Sequence, residues 1–347
     1  MESQPLEMET ERPMKCSVVI LNWNGEEMLR RYLPAVVEKT PDEGCEVVVA
    51  DNGSTDGSLQ VLAEFPSVRV IRLAQNYGFA EGYNRALAET DSEYCVLLNS
   101  DVEVTDGWLT ALLAYMDAHP DVSACQPRIR SLRNRTKFEH AGAAGGEIDR
   151  LGYPYCRGRI MGYTEEDHGQ YTDSDDLFWA SGACMCIRSQ AFREAGGLDS
   201  DFFAHMEEID LCWRLQCRGG KTGCACQSMV YHLGGGSLHY ENPRKTYLNF
   251  RNNLLMLYKN LPEDRLRSIM FQRTLLDYAA ALQMLLCGHP KNALAVIKAR
   301  RDYQRMIRTE QFQSKRRENL EKAVIPYPPT IRQRSILADY YLRGKRH

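Results

Sequence analysis

The chain has 347 residues, a net charge of −3, and contents of apolar (44%) and charged (26%) residues that are ordinary for a globular protein. This length suits one large α/β domain or two small ones, and the charge gives no indication of a nucleic-acid partner. The N-terminal residues are polar, and the sequence holds no apolar run of about 18 residues. We therefore expect a disordered leader over residues 1–14 and a cytoplasmic protein without a membrane-spanning helix.

Strand and helix patterns alternate through the first third of the chain. Apolar runs rich in β-branched residues predict strands, and segments with helical spacing follow each of them. The strands are predicted at 16–21, 46–50, 68–72 and 94–98, and the helices at 27–38, 57–64, 80–89 and 107–118. Near-continuous apolar strands between helices predict an α/β fold with a mostly parallel central sheet and helices on both faces.

The pattern changes after this alternation. Residues 127–176 are rich in Gly, Tyr and Arg and predict long loops and short strands that border a site. Residues 177–187 predict one buried strand and residues 207–218 a helix. From residue 243 onward the chain predicts helices. We expect one domain over residues 15–260 and a helical, basic extension over 261–347.

Polar residues follow each of the four predicted strands. Because ligands of parallel sheets gather at the carboxyl ends of the strands, these residues are expected to line a binding site. Neither a P-loop nor a G-x-G-x-x-G motif is present, so ATPase and dinucleotide-binding functions are disfavoured. The residues are Asn22 and Asn24 after the first strand, Asp51, Asn52, Gly53 and Ser54 after the second, Asn76, Gly78, Phe79 and Asn84 after the third, and Asn99 and Asp101 after the fourth.

A functional and a structural interpretation are both open for Asp51, Asp101 and His232. Asp51 could accept the imide N–H of a uracil or thymine ring, and an ordinary αβ turn with an Asx or Ser cap is the alternative. Asp101 could hold Mg2+ or Mn2+, which prefer oxygen ligands, or could cap the following helix. His232, which glycines follow, is a candidate second metal ligand or a structural histidine.

Three carboxylates, Glu207, Glu208 and Asp210, occupy the first turn of a predicted helix. Acidic residues there stabilise the helix dipole, which is the structural interpretation. At about 100° per residue, Glu207 and Asp210 share a face and Glu208 points elsewhere. A carboxylate that faces a cleft could act as a general base. An unperturbed Glu, with a pKa of about 4.3, would already be ionised at pH 7.

Together these motifs resemble family 2 glycosyltransferases of the GT-A fold, and the rhamnosyltransferase-like branch in particular. The resemblance covers residues from about 17 to 251. The matching segments are VVILNWN at 18–24, DNGSTDGS at 51–58, NYGFAEGYN at 76–84, LLNSD at 97–101, WASGA at 179–183, GGLD at 196–199, FFAHMEEIDLCWR at 202–214 and HLGGG at 232–236.

The resemblance implies a GT-A domain over residues 15–260 and an inverting, metal-dependent transfer of a hexose. The donor would be a UDP- or dTDP-sugar, with rhamnose as one choice, and the acceptor a glycan or lipid-linked glycan in cell-surface polysaccharide synthesis. Asp51 would hold the nucleobase of the donor, and residues 76–84 would line the donor pocket. Asp101 matches the metal-binding end of a D-x-D motif whose first acid is Asn99 here. Glu208 matches the catalytic base, with Asp210 as the alternative.

The C-terminal part of the chain is strongly basic. Residues 291–347 contain fifteen Lys and Arg against five Asp and Glu. Residues 296–312 could form a basic amphipathic helix that rests on anionic lipid at the inner membrane face. A solvated helix face or an oligomer contact is the alternative.

Two other functions stay open on the sequence. A sugar nucleotidyltransferase would need a Gly-rich basic loop after the first strand, and the residues 22–25 do not provide one. A non-catalytic protein that binds nucleotide-sugars or glycans is the second alternative. The acids at positions 101, 207 and 208 favour a catalytic protein.

Overall fold

The computed structural model describes residues 14–234 and 242–344. Residues 1–13 of the predicted leader therefore lie outside the described residues, and Met14 already belongs to the first strand. Two glycines of the predicted His232 motif, at positions 235 and 236, also lie outside them.

The described residues form strands β1–β13, helices α1–α11 and one short 3-10 helix, Ser200–Phe202. The strands are β1 Met14–Asn22, β2 Cys45–Asp51, β3 Arg69–Arg72, β4 Ser92–Asn99, β5 Val102–Val104, β6 Val122–Ser131, β7 Gly146–Ile148, β8 Pro154–Cys156, β9 Arg159–Ile160, β10 Tyr163–Thr164, β11 Ser174–Leu177, β12 Cys184–Arg188 and β13 Lys221–His232. The helices are α1 Glu26–Lys39, α2 Ser58–Leu62, α3 Gly78–Ala88, α4 Trp108–Ala118, α5 Ser189–Ala195, α6 Glu207–Cys217, α7 Pro243–Asn260, α8 Glu263–Leu286, α9 Pro290–Met306, α10 Glu310–Glu321 and α11 Ile336–Arg343.

A large central sheet has the strand order β11-β13-β6-β12-β4-β1-β2-β3, and β5 pairs with β13. The four strands β3, β2, β1 and β4 are parallel, as predicted. Alternate residues such as Val18 and Val19 enter the cores on opposite faces of the sheet, because successive side chains of a strand point in opposite directions. The second half is mixed, since β12 runs antiparallel to both β4 and β6.

The prediction of one strand over residues 177–187 is wrong. Strand β11 ends at Leu177 and β12 begins at Cys184. Between them Ser181 donates its backbone N–H to Oε1 of Gln126 at 3.0 Å, and Ala183 donates its backbone N–H to Oγ of Ser181 at 3.2 Å. These bonds give the buried backbone N–H groups of the turn their acceptors, so the turn needs no neighbouring strand. An apolar composition is compatible with such a turn as well as with a strand.

The C-terminal region is helical, as predicted, but residues 296–312 are not one helix. Helix α9 ends at Met306 and α10 begins at Glu310. The apolar side of this segment, including Val296, Tyr303 and Phe312, is buried in the protein. It is therefore not available to rest on lipid. No helix among the described residues has the length and hydropathy needed to cross a membrane.

Candidate active site

The carboxyl ends of β1, β2 and β4 lie side by side. Asn22 pairs with Asp51 across the β1–β2 ladder, and Asn99 ends β4 on the other side of β1. Asn22 donates through Nδ2 to Oδ1 of Asp51 at 3.3 Å and to Oγ of Ser54 at 3.2 Å. Oγ of Ser54 also accepts the backbone N–H of Asn24 at 2.9 Å. The structure thus brings together five of the residues predicted to bind the donor.

A second group of predicted donor residues is joined through Asn52. Its Nδ2 donates to the carbonyl oxygen of Gly78 at 3.0 Å and to Oδ1 of Asn76 at 3.3 Å. Gly53 has φ of +73°, and a Cβ there would lie 2.6 Å from the Cα of Gln75, so this position requires glycine. These contacts hold the loop before α3 against the loop after β2.

Asn84 and Phe79 lie in different surroundings. Asn84 donates through Nδ2 to the carbonyl oxygen of Leu198 at 2.8 Å and accepts the N–H of Leu198 at 2.9 Å. These contacts favour a structural role for Asn84, because they join α3 to the loop before α6. Phe79 packs against Tyr83 and, across the site, against Gly182, where a Cβ would lie 3.3 Å from the ring.

Asp101 and His232 are in direct contact although 131 residues separate them. Nε2 of His232 lies 3.1 Å from Oδ1 of Asp101, and Nδ1 lies 3.3 Å from Oε2 of Glu139. Burial lowers the pKa of His232, but the two carboxylates outweigh it and raise the pKa to about 10. At pH 7 the ring is therefore an imidazolium held between two carboxylates, and it would have to lose a proton to bind a metal.

The contacts of His232 and Asp101 fit a divalent cation. Two neighbouring ligand atoms of an octahedral ion with bonds of about 2.1 Å lie about 3 Å apart, which the separation of Nε2 and Oδ1 matches. Glu139 occupies the place of a carboxylate that orients a metal-binding histidine. Within residues 14–234 and 242–344, no group of three His, Cys, Asp or Glu side chains is arranged to hold a metal. A bound ion would therefore need further ligands from a diphosphate and water.

Glu207 and Glu208 begin α6, where Glu207 is buried and Glu208 is half-buried. Oε2 of each carboxyl group is buried and has no hydrogen-bond partner among the described residues. Burial raises the pKa of Glu208 to about 7, so the expectation of an ordinary, fully ionised Glu is wrong. Burial and the nearby Glu208 hold the pKa of Glu207 well above its usual range. Burial therefore favours the protonated form of Glu207.

Asp210 is fully buried, and both of its carboxylate oxygens are occupied. Oδ2 accepts from Nε of Arg214 at 2.9 Å and from Nζ of Lys259 at 2.8 Å. Oδ1 accepts from Nδ2 of Asn260 at 2.8 Å. These contacts tie α6 to α7 and favour a structural role for Asp210. They leave Glu207 and Glu208 as the acids of this turn with an unused oxygen.

The turn at residues 181–183 connects Glu208 with the end of β4. A Cβ at Gly182 would lie 3.8 Å from the Cβ of Glu208. The next residue, Ala183, accepts the backbone N–H of Asn99 at 3.0 Å, two residues before Asp101. Glu208 and Asn99 therefore contact the same turn, and Asp101 follows Asn99 by two residues.

The profile of glycosyl transferase family 2 matches residues 17–196, slightly more than half of the chain. The chain belongs to glycosyl transferase family 2. The match spans β1–β4 and the turn at 181–183. It includes Phe79, Asn99 and Gln126, which contact this turn.

Curated relatives extend the similarity of this glycosyltransferase beyond residue 196. It is 28% identical over 240 residues to the N-acetylglucosaminyl-diphospho-decaprenol L-rhamnosyltransferase of Mycobacterium tuberculosis, covering 65% of this chain and 75% of that protein. It is 24% identical over 245 residues to a low-salt glycan biosynthesis hexosyltransferase of Haloferax volcanii, covering 69% and 74%.

Solved structures confirm the GT-A fold of this glycosyltransferase. The mannosyltransferase PcManGT from Pyrobaculum calidifontis, in complex with GDP-Man and Mn2+, superposes with a TM-score of 0.53 at 15% identity and covers 92% of this chain and 88% of that one. S. aureus TarS 1-349 in complex with UDP-GlcNAc gives 0.57 at 15% identity, with 96% and 93% covered.

A strained loop leads into α6 of the glycosyltransferase. Phe203, His205 and Met206 have φ of +63°, +72° and +75°, which non-glycine residues rarely adopt. Asn252 of α7 holds this loop, because its Nδ2 lies 2.8–2.9 Å from the carbonyl oxygens of Phe202, Ala204 and His205. Backbone strain that other contacts maintain is characteristic of functional sites.

Replacing Asn252 by leucine is expected to release this loop and move Glu208. We expect kcat to fall about tenfold or more because the loop leads into α6. The Kd of the donor should rise as well, because the carbonyl oxygen of Phe203 accepts the backbone N–H of Phe79, a predicted donor residue, at 2.7 Å. Loss of the bonds to buried carbonyls also costs about 1–3 kcal/mol of stability. Steady-state kinetics, donor titration and thermal unfolding of the variant measure the three effects. A variant that is less stable but has the wild-type kcat would limit Asn252 to folding.

Three residues of the site escaped prediction from sequence. Glu139 lies in a region without periodicity, and only its contact with His232 reveals it. Gly182 belongs to the WASGA segment that resembles the family, but no role followed from that position. Asn252 and Asn253 are adjacent buried amides before the apolar run 254–257 of α7, and paired amides at that place were the available signal.

Proposed function

We propose that this chain is an inverting, divalent-metal-dependent glycosyltransferase that moves a hexose from a nucleoside-diphosphate sugar to a glycan or lipid-linked glycan. The observation that supports this proposal most strongly is the position of Glu208. Its carboxyl group has a buried oxygen without a partner among the described residues and a pKa near 7. It lies beside the turn at 181–183, which also accepts the backbone N–H of Asn99, two residues before Asp101.

Glu208 is proposed as the general base. Its carboxylate would accept the proton of the acceptor hydroxyl while the hydroxyl oxygen bonds to the anomeric carbon. The bond from that carbon to the diphosphate breaks on the opposite face, so the configuration inverts. A base with a pKa near the working pH combines a useful ionised fraction with a strong affinity for the proton.

The strand ends are proposed to bind the donor. Asp51 would accept from the nucleobase of a UDP- or dTDP-sugar, and the other predicted residues at the strand ends and at the start of α3 would line the pocket. These are Asn22, Asn24, Asn52, Gly53, Ser54, Asn76, Gly78, Phe79 and Asn99. Asp101 and His232 would hold Mg2+ or Mn2+, which would supply positive charge to the leaving diphosphate. Glu139 would orient His232.

The relatives guide the proposed substrates and setting. One is named as a rhamnosyltransferase that acts on a diphospho-decaprenol, and the other as a hexosyltransferase of glycan biosynthesis. We therefore propose transfer of a hexose such as rhamnose in the synthesis of a cell-surface polysaccharide. The reaction would take place in the cytoplasm, at or near the inner membrane face.

A donor panel tests the proposed activity. The protein is incubated with UDP-, dTDP- and GDP-sugars, with and without Mn2+ or Mg2+, and both the thermal shift and the released nucleoside diphosphate are measured. We expect donors with one particular nucleobase to give the largest thermal shift, and we expect nucleoside diphosphate to be released when the ion is present. Donor binding without any release would instead support a non-catalytic binding protein.

The raised pKa of Glu208 predicts a pH dependence. Because the base must be deprotonated, kcat should rise with pH, about tenfold per pH unit below the apparent pKa, and level off above about 7. The measurement is kcat at saturating donor and metal across this range, with donor binding followed separately at each pH. An ascending limb near pH 4.5, the ordinary value for Glu, would contradict the buried environment of Glu208.

A further inference from the structure

Helix α8 carries an apolar stripe on its exposed side. Phe271, Leu275, Tyr278, Leu282 and Leu285 are all between 49% and 66% exposed. At about 100° per residue they fall within an arc of about 80°, and at 1.5 Å per residue the stripe is about 21 Å long. Leu286, which is 78% exposed, extends it. Large apolar side chains are rarely left exposed in one continuous row, so this face indicates a binding surface.

The opposite side of α8 is fixed to the protein. Arg273 donates through Nη1 to the carbonyl oxygen of Leu151 at 2.9 Å and pairs with Asp277. Oδ2 of Asp277 also accepts from Nη1 of Arg300, which joins α8 to α9. Ala281 packs in a small core with two residues of α9. The stripe is therefore a permanent surface of a well-anchored helix.

Within α8 and α9, exposed acids lie only at the start of α8, at Glu263 and Asp264, and the exposed charges from the stripe through α9 have a single sign. Between residues 268 and 308, every exposed charged side chain is basic, and the acids of this segment, Asp277 and Asp302, are buried. The exposed cations of α9 and the turn after it are Lys291, Lys298, Arg301, Arg305 and Arg308. The whole chain has a net charge of −3, so this concentration of positive charge is local.

We propose that the apolar stripe of α8 inserts into the surface of an anionic phospholipid bilayer while the cations of α9 contact the lipid headgroups. An apolar row beside Lys and Arg is the pattern of helices that lie in the membrane interface. A second copy of the chain is a poorer occupant. A two-fold contact through this face would bring the two basic sets towards each other.

The buried side of α8, opposite the stripe, is joined to the loop before α6. Arg273 of α8 hydrogen bonds to Asn253 of α7, and the adjacent Asn252 holds the loop before Glu207 and Glu208. Vesicle binding itself does not rest on catalysis.

Vesicle flotation of the full chain tests the inference. The probes are vesicles of phosphatidylcholine alone and of phosphatidylcholine mixed with phosphatidylglycerol. We expect the protein to float with the anionic vesicles, weakly or not at all with the neutral ones, and less at high salt. Replacing both Lys298 and Arg301 by glutamine should weaken partitioning about thirtyfold, since each basic residue near an anionic surface contributes about 1 kcal/mol.

The apolar contribution is tested by the double variant Leu275→Glu and Leu282→Glu, which should no longer float. Val324→Glu is the matched control, because Val324 is 78% exposed and lies outside α8 and α9. Thermal unfolding and donor hydrolysis, measured on every variant, separate loss of membrane binding from loss of fold or of the proposed activity. The proposal is overturned if the wild type ignores anionic vesicles or if the double Glu variant binds them equally. It is also overturned if the wild type forms a dimer that the double variant disrupts while neither binds lipid.

Discussion

Glu208→Gln is expected to lower kcat by a factor of about 100 to 10,000, the contribution of a positioned general base. Glutamine keeps the shape of the side chain but cannot accept the acceptor proton. Asp51 and Asp101 are untouched, so the Kd of the donor in the presence of metal should remain within a few-fold of the wild-type value. Single-turnover kinetics at saturating donor separate the chemical step from product release.

Glu207→Gln is the matched control for this variant. Burial raises the pKa of Glu207 and favours its protonated form, and an amide is close in shape and charge to a neutral carboxyl group. This variant should retain most of the wild-type kcat, although it stands next to Glu208 in the same helical turn. A large loss in Glu207→Gln together with normal turnover in Glu208→Gln would exchange the roles of the two acids.

Asp101→Asn is expected to give the second large effect. Removing a metal-binding carboxylate should weaken metal-dependent donor binding by more than about 100-fold, because changes in residues that merely orient a ligand already cost about 10–100-fold. Glu139→Gln, which leaves both proposed ligands in place, should show that smaller loss. Calorimetric titration of donor in the presence and absence of Mn2+ measures both variants.

The comparison without metal decides what Asp101 does. If Asp101 holds the ion, the wild type without Mn2+ and Asp101→Asn with Mn2+ should bind donor equally weakly. A variant that binds donor like the wild type and still responds to Mn2+ would remove Asp101 from the metal site. Thermal unfolding without metal shows whether His232, left with one carboxylate, still supports the fold.

Local patterns were sufficient to predict the parallel half of the sheet. Apolar runs such as residues 94–98 admit few alternatives to a buried strand between helices, and parallel strands place their carboxyl ends on one edge. The structure therefore has Asn22, Asp51 and Asn99 side by side at this edge of the sheet, as predicted from their positions in the sequence. The helical C-terminal region could also be predicted from local patterns, because the chain shows no strand alternation from residue 243 onward.

Features that depend on distant contacts were beyond prediction from sequence. The apolar segment at 177–187 could be a strand or a buried turn, and only the bond from Ser181 to Gln126 distinguishes them. The pKa of Glu208 depends on burial, which packing of the whole domain creates. In the same way, Val296 and Tyr303 are apolar on a basic helix whether they face lipid or protein, and the structure shows that they face protein.

The configuration of the released sugar tests the account most directly. When water replaces the acceptor, the anomer formed first can be followed by proton NMR before it equilibrates in solution. If Glu208 activates the attacking oxygen for one displacement, the first sugar released has the configuration opposite to that of the donor, and Glu208→Gln releases almost none. A first product with the configuration of the donor, or equal release by the variant, would contradict a single displacement driven by Glu208.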